Sequence, residues 1–340
     1  MGFRLQRSIK LGKNVRLNIS KSGLGVSAKV AGVTVGAGPR GNYVHVNLPG
    51  TGFTYRKYFG GKKSQRSEPE KTEPRAQSTG QTLPEPGLFA PRHEKELVRG
   101  VEKYRAGQPE AALDHFLDAA ADEPGAAIFA AALLAEEDLK NYRAVELLEG
   151  VIFSDETFPT ALREKYLADS TVYVEVTPHI TATVPVDGLA ATLLLVELYQ
   201  AQRRVREAIA LLEEVQALTH YPILALSLCE LYASREMWPD IIDLAKEIEP
   251  EDDVTLEISI YYGRAMQAQN LHEAAITVFT QALRRKKDRS TDLLNEALYW
   301  RAISYQAQGR ADRANKEFQK IYAADPEFKD VAQRLHAYEP

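Results

Sequence analysis

Between residue 93 and the end of the chain, small and aromatic residues return at matched intervals, and that return restricts the segment to helices packed in pairs. Gly100, Gly107, Ala112, Phe116, Ala119 and Pro124 form one ladder. Ala302, Tyr305, Gly309, Ala314, Phe318 and Pro326 form another, and the interval from the first small residue to the proline is the same in both. A third copy runs Gly263, Ala275, Phe279, Ala282. Fainter copies run through Ala144, Leu148 and Val151, through Tyr199, Ala208, Leu212 and Val215, and through Tyr232, Ile241, Ala245 and Ile248. A small residue on each helix allows two antiparallel helices to approach closely, and the aromatic or leucine four positions on fills the gap to the next pair. The proline is expected to stop the second helix.

Ala208, Ile241 and Ala275 recur at a nearly constant interval, the mark of an array of helix pairs. This ladder resembles tetratricopeptide repeats over most of residues 93–335. The resemblance implies a right-handed superhelical solenoid whose inner groove binds a peptide or protein surface. It places groove residues on the first helix of each pair, here Glu197, Gln200, Glu230, Arg264, Gln267 and Gln306. The Lys and Asn set that clamps a C-terminal carboxylate in chaperone-tail binders is absent at these positions, so a different ligand is implied.

One stretch departs from the helical period. Residues 171–186 read TVYVEVTPHITATVPV, β-branched and alternating, with Thr177, Pro178 and His179 in the middle. This predicts a β-hairpin inserted in the solenoid.

Residues 1–66 are of another kind. They carry thirteen Lys and Arg and no acid; the first is Glu68. Of 42 basic residues this leaves 29 against 47 acidic ones, so a head of +13 is joined to a remainder of −18. Val15, Leu17 and Ile19 alternate with Arg16, Asn18 and Ser20, and Val44, Val46 and Leu48 with Tyr43, His45 and Asn47. Period two with glycine between the runs predicts a small all-β domain over residues 1–60 with about six strands. Arg4, Arg16, Lys29 and Arg56 fall on its polar phase. They are expected to meet an anionic partner, because interspersed signs would serve solubility as well. The motifs MGFR, SKSG (Ser20 to Gly23), GPRG (Gly38 to Gly41) and LPGTG (Leu48 to Gly52) occur in order. Over residues 1–58 they resemble a short bacterial N-terminal domain family of unknown function. That resemblance implies a bacterial source and brings no activity. Residues 61–92 hold five prolines and almost no large apolar side chain, which predicts a flexible, disordered linker.

Chemical motifs fail on context. GAGPRG matches a dinucleotide fingerprint, but the strand-like NYVHVNL follows where a helix is required. LPGTG has the form of a sorting signal yet reads as a turn between strands. The seven histidines show no metal spacing, and there is no HExxH or CxxC. Cys229 takes the small-residue slot of its repeat. We expect no catalytic, cofactor or metal residues.

With no apolar run long enough to cross a bilayer and no signal peptide, a cytoplasmic chain without a membrane span is expected. The resulting expectation is a multidomain, non-enzymatic adaptor: basic head 1–60, linker 61–92, helical repeats 93–340 binding a protein partner. Two alternatives stand beside it. One is nucleic acid or another polyanion held by residues 1–66, with the solenoid as regulatory or oligomerisation arm. The other is the head docked on the acidic solenoid as self-regulation.

Overall fold

The computed structural model describes the strands between residues 4 and 59, then residues 83–154, 160–168 and 170–336. Most of the linker and the LPGTG turn lie outside the described residues. So do the side chains of Arg4, Arg16, Lys29 and Arg56.

Six strands, β1 (Arg4–Lys10), β2 (Val15–Ser20), β3 (Gly23–Val30), β4 (Val33–Gly38), β5 (Gly41–Asn47) and β6 (Thr54–Phe59), pair antiparallel in sequence order. The backbone of β1 also pairs with β7 (Thr171–Glu175), whose antiparallel neighbour is β8 (Thr181–Pro185). The insertion is therefore the hairpin its alternation predicts. Val172, Val174, Ala182 and Val184 are its buried phase.

By internal contacts the chain forms two units: residues 1–175 with 181–204, and residues 176–180 with 205–340. In the first, α1 (Arg92–Arg105) pairs with α2 (Pro109–Ala119), and α3 (Pro124–Glu137) with α4 (Tyr142–Ile152). A short α5 (Ala161–Tyr166) and α6 (Gly188–Ala201) complete the helices. Gly100 explains the first rung: a Cβ built on it would lie 2.7 Å from the Phe116 ring, which is fully buried. Phe116 in turn stacks on Phe129 with ring centroids 5.0 Å apart.

The second unit repeats the scheme with α7 (Val205–Thr219), α8 (Pro222–Ser234), α9 (Trp238–Ala245), α10 (Asp253–Ala268), α11 (His272–Ala282), α12 (Thr291–Ala307), α13 (Ala311–Ala324) and α14 (Val331–His336). Helices α8, α10 and α12 pack side by side as one layer, with α9, α11 and α13 paired to them. A Cβ on Gly263 would meet Phe279 at 2.4 Å. Phe279 and Phe318 are fully buried at equivalent rungs, and Ala208, Ile241 and Ala275 are buried at their regular interval. These are helix pairs of the tetratricopeptide type.

One expectation is corrected. Pro124 does not stop the second helix of its pair; α2 ends at Ala119 and Pro124 opens α3. A proline at the first turn loses no hydrogen bond, because that N–H has no partner within the helix. Pro326 lies two residues beyond the end of α13.

Five helices, α1, α6, α8, α10 and α12, end in one way. Gly107, Arg203, Glu236, Asn270 and Gly309 all have positive φ, between 57° and 74°. The next N–H reaches back to a carbonyl five residues earlier: Gln108 to Lys103, Arg204 to Tyr199, Met237 to Tyr232, Leu271 to Met266, Arg310 to Tyr305. This left-handed cap satisfies carbonyls that the helix end leaves open and turns the chain into the second helix.

Candidate functional site

The layer formed by α8, α10 and α12 carries the polar groups that packing alone does not require. Helix α10 is anchored by a capping box: the Asp252 carboxylate accepts the Thr255 N–H at 2.8 Å, and the Thr255 hydroxyl accepts the Asp252 N–H at 2.9 Å. Asp253, beside it, accepts the Ser290 N–H at 3.1 Å, tying the start of α10 to the start of α12. From this fixed end, Glu257, Tyr261 and Arg264 follow at i, i+4 and i+7, one face of the helix.

Glu257 is 4% exposed, and its carboxylate accepts the Thr177 hydroxyl at 2.8 Å. Burial pushes its carboxyl up to about 7, against the opposing charge of His179 and the Thr177 bond. His179 lies with Nε2 3.7 Å from Glu296 on α12. That contact raises the imidazole above its ordinary range, although burial works the other way. Burial would also raise Glu296, but hydrogen bonds from His179 and Lys329 outweigh it and hold it low. The same carboxylate accepts Lys329 Nζ at 2.6 Å and Trp300 Nε1 at 3.0 Å.

One turn further along, the Arg264 guanidinium lies over two rings, 4.8 Å from the Trp300 centroid and 5.3 Å from that of Tyr261. It makes no ion pair with a carboxylate among the described residues. Stacking fixes the plane of a guanidinium and leaves its N–H edge open to a planar acceptor. Gln267 is committed elsewhere: its amide donates to the Trp300 carbonyl and the Ser304 hydroxyl, both at 2.7 Å. Gln306 accepts Arg334 Nη1 at 2.8 Å.

Of the six groove residues expected from sequence, Glu230, Arg264, Gln267 and Gln306 lie in the second unit, on α8, α10 and α12. Glu197 and Gln200 lie on α6 of the first unit. Glu197 is buried, and that burial raises its carboxyl. Arg264 and Gln267 both meet Trp300. Sequence reading misses Glu257, Tyr261, Trp300 and Lys329. The i, i+4, i+7 spacing of Glu257, Tyr261 and Arg264 is the available signal.

Cys229 is fully buried, and desolvation pushes its thiol far above the ordinary range, as befits a small core residue. Among the described residues no group of three His, Cys, Asp or Glu is placed to hold a metal ion. Nor is any helix there long and apolar enough to cross a membrane.

Residues 142–338 match the family model described as the N-terminal domain of EccA1, a T7SS, ESX-1 secretion system protein. The chain belongs to that family. The matched span runs from α4 through α14 and includes the hairpin, so the EccA1-type module contains the whole Glu257–Arg264–Trp300 surface. Residues 3–56 match a second model, a protein of unknown function, DUF4236. No curated protein matches the chain. Among solved structures, the N-terminal domain of the EccA1 ATPase from the ESX-1 system of Mycobacterium tuberculosis is 18% identical with a TM-score of 0.49, covering 72% of this chain and 88% of that one. A kinesin light chain with TPR-like repeats from Podosopora anserina is 21% identical with a TM-score of 0.40, covering 61% and 100%. A thermophilic TPR protein of Thermus thermophilus is 18% identical with a TM-score of 0.24, covering 72% and 97%.

Proposed function

We propose that the chain is a non-enzymatic protein-interaction scaffold whose recognition surface is the α8–α10–α12 layer. The observation that carries this is Arg264, held over the Trp300 and Tyr261 rings with no ion pair to a carboxylate among the described residues. Such a group supplies a directed, pre-ordered site for a carboxylate or carbonyl on a partner protein, and its rings supply apolar contact around it. The family's namesake is a secretion-system protein, and a protein client or component of such a machine is the partner this reading favours.

The test uses the full chain as bait, beside Arg264→Gln and Trp300→Ala. Partners enriched by the unsubstituted chain are then titrated against each variant by calorimetry. Loss of Arg264 is expected to weaken binding at least tenfold, the usual scale for a charge-assisted bond, about 1.5–3 kcal/mol. Equal affinity for all three chains would overturn the assignment of the surface.

A second reading concerns residues 1–60 as a basic domain tethered by residues 61–92. Thirteen cations without an acid over residues 1–66 support a polyanion there. In the cis form of this reading the head sits on its own chain, and the backbone pairing of β1 with β7 supports it. Anisotropy of duplex DNA titrated with full chain separates the two. A log–log salt slope of about −0.9 per phosphate contact is expected for trans binding. No binding at low salt would leave only the cis form.

A further inference from the structure

The turn that joins β7 to β8 is built as a ligand. Thr177 is fully buried at its apex. Its hydroxyl oxygen accepts the N–H groups of His179 at 3.3 Å and Ile180 at 3.0 Å, while the Val176 and Thr177 N–H groups donate to the Ile180 carbonyl. The turn is thus closed on itself, and its free hydroxyl proton goes to Glu257 on α10. His179 faces Glu296 on α12. These five residues, 176–180, belong to the second unit although the strands on either side belong to the first.

We propose that the turn Val176–Ile180 is a proton-gated plug at the Glu257 end of the recognition surface, seated while Glu257 carries a proton and released as pH rises toward neutrality, which opens the ground beside Arg264 to a partner. This rests on the scaffold reading of that surface and gives its regulation.

The groups that face Glu257 decide the direction. From the turn come the Thr177 hydroxyl and His179; from α12, Glu296, with Asp292 facing His179; from α10 itself, Asp253 and Tyr261; from α8, Cys229, with Glu230 facing Tyr261. Lys329 is bound to Glu296 and neutralises that carboxylate rather than Glu257. An ionised Glu257 under the seated turn is a buried anion with one hydroxyl donor and a partly exposed imidazole for support. Water reaches it once the turn leaves. Because burial raises its carboxyl, the seated state binds the extra proton, so its stability is full below about 4.5 and is lost as pH rises to about 7. His179 is also raised, so its attraction to Glu296 is lost as pH rises past 6.5. Glu296 is lowered, and its contribution is lost only on the acid side of 4.5. Near neutrality the two changes act together: both unseat the turn.

Ile180 is buried in the seated turn and Cys229, the single native cysteine, is fully buried in α8. The experiment is peptide-resolved N-ethylmaleimide labelling of the full-length Ile180→Cys chain at pH 5.5 and 7.0, with and without Glu257→Gln. Dividing the two rates at each pH cancels thiol ionisation. The ratio is expected to rise about tenfold across this range, the slope of one proton per opening. A ratio that stays flat, or labelling of Cys229 in step with the new thiol, would overturn the proposal. Hydrogen exchange at the His179 and Ile180 amides, compared between the unsubstituted chain and Glu257→Gln, gives the same comparison without a cysteine. Labelling needs no partner, so the two readings fail separately. A pH-independent turn with intact partner capture removes the plug alone, and a gated turn without any partner removes the scaffold alone.

Discussion

Gly263→Ala tests close helix packing at its tightest point. The added methyl would sit 2.4 Å from Cε1 and Cζ of Phe279, a ring with no exposed surface to move toward. Overpacking of this kind costs about 1–3 kcal/mol. The better helix propensity of alanine returns about 1 kcal/mol. An approach as short as 2.4 Å puts the clash in the upper part of that range, about 2–3 kcal/mol, so the net loss is about 1–2 kcal/mol, which lowers a urea midpoint by roughly 0.5–1 M at a slope near 2 kcal/mol/M. Both tryptophans of the chain, Trp238 and Trp300, lie in the second unit, so their fluorescence reports the unit that holds Gly263. Gly150→Ala is the control: it lies in α4 of the first unit, and a Cβ there meets nothing within 4 Å. It is expected to raise the circular-dichroism midpoint slightly. Gly263→Ala combined with Phe279→Leu is expected to recover part of the loss, because the ring atoms that clash are gone. An unchanged or raised fluorescence midpoint in Gly263→Ala would refute the close-approach reading of the ladder.

Asp252→Ala removes the cap of α10 and is expected to cost about 1 kcal/mol, read as a lower fluorescence midpoint. Glu257→Gln removes a carboxyl that burial raises from 4.5 to about 7, so it is expected to stabilise the second unit at pH 7.5 by up to about 3 kcal/mol and to leave it nearly unchanged at pH 4.5; urea titration at both values checks the sign. Glu236→Gly places glycine at a φ of 57° and is expected to gain about 1 kcal/mol, whereas a loss would mean that the side chain packs usefully there.

The outer repeats are legible and the middle ones faint for one physical reason. The five helices α1, α6, α8, α10 and α12 end on a residue with positive φ, and only at Gly107 and Gly309 is that residue the glycine such a backbone favours. At Arg203 and Glu236 the same cap is made by residues with no sequence signature for it, and at Asn270 by one with a weaker signature than glycine, the backbone bonds of the cap being the same. The aromatic rung behaves alike. Phe116, Phe279 and Phe318 stand out, while Leu148, Leu212 and Ala245 fill smaller versions of the slot without an aromatic to mark them. Alternation reveals the hairpin because one phase of it is buried, Val172 and Val174 facing Ala182 and Val184 across the register. Pro124 misleads because a proline closing one helix and a proline opening the next give the same letter at nearly the same place.

The site is less legible because its parts come from segments far apart in the chain. Thr177 and Glu257 are separated by 80 residues, and His179 meets Glu296 across a still longer interval. A helical period shows that Glu257, Tyr261 and Arg264 share a face; it does not show that an inserted turn comes down onto that face. Sequence offers Arg264 as a groove candidate because it stands on the first helix of a pair. Trp300 stands on one too and is missed, because an aromatic at such a position reads as core. Its environment shows otherwise. The indole N–H is bonded to Glu296, a guanidinium lies over the ring, and the Lys329 ammonium lies 4.9 Å from its centroid. A core aromatic is ringed by apolar atoms, whereas one that gathers two cations and a carboxylate holds charge in place. In the proposed recognition surface Trp300 and Arg264 therefore act together, and neither does so through its position in the repeat alone.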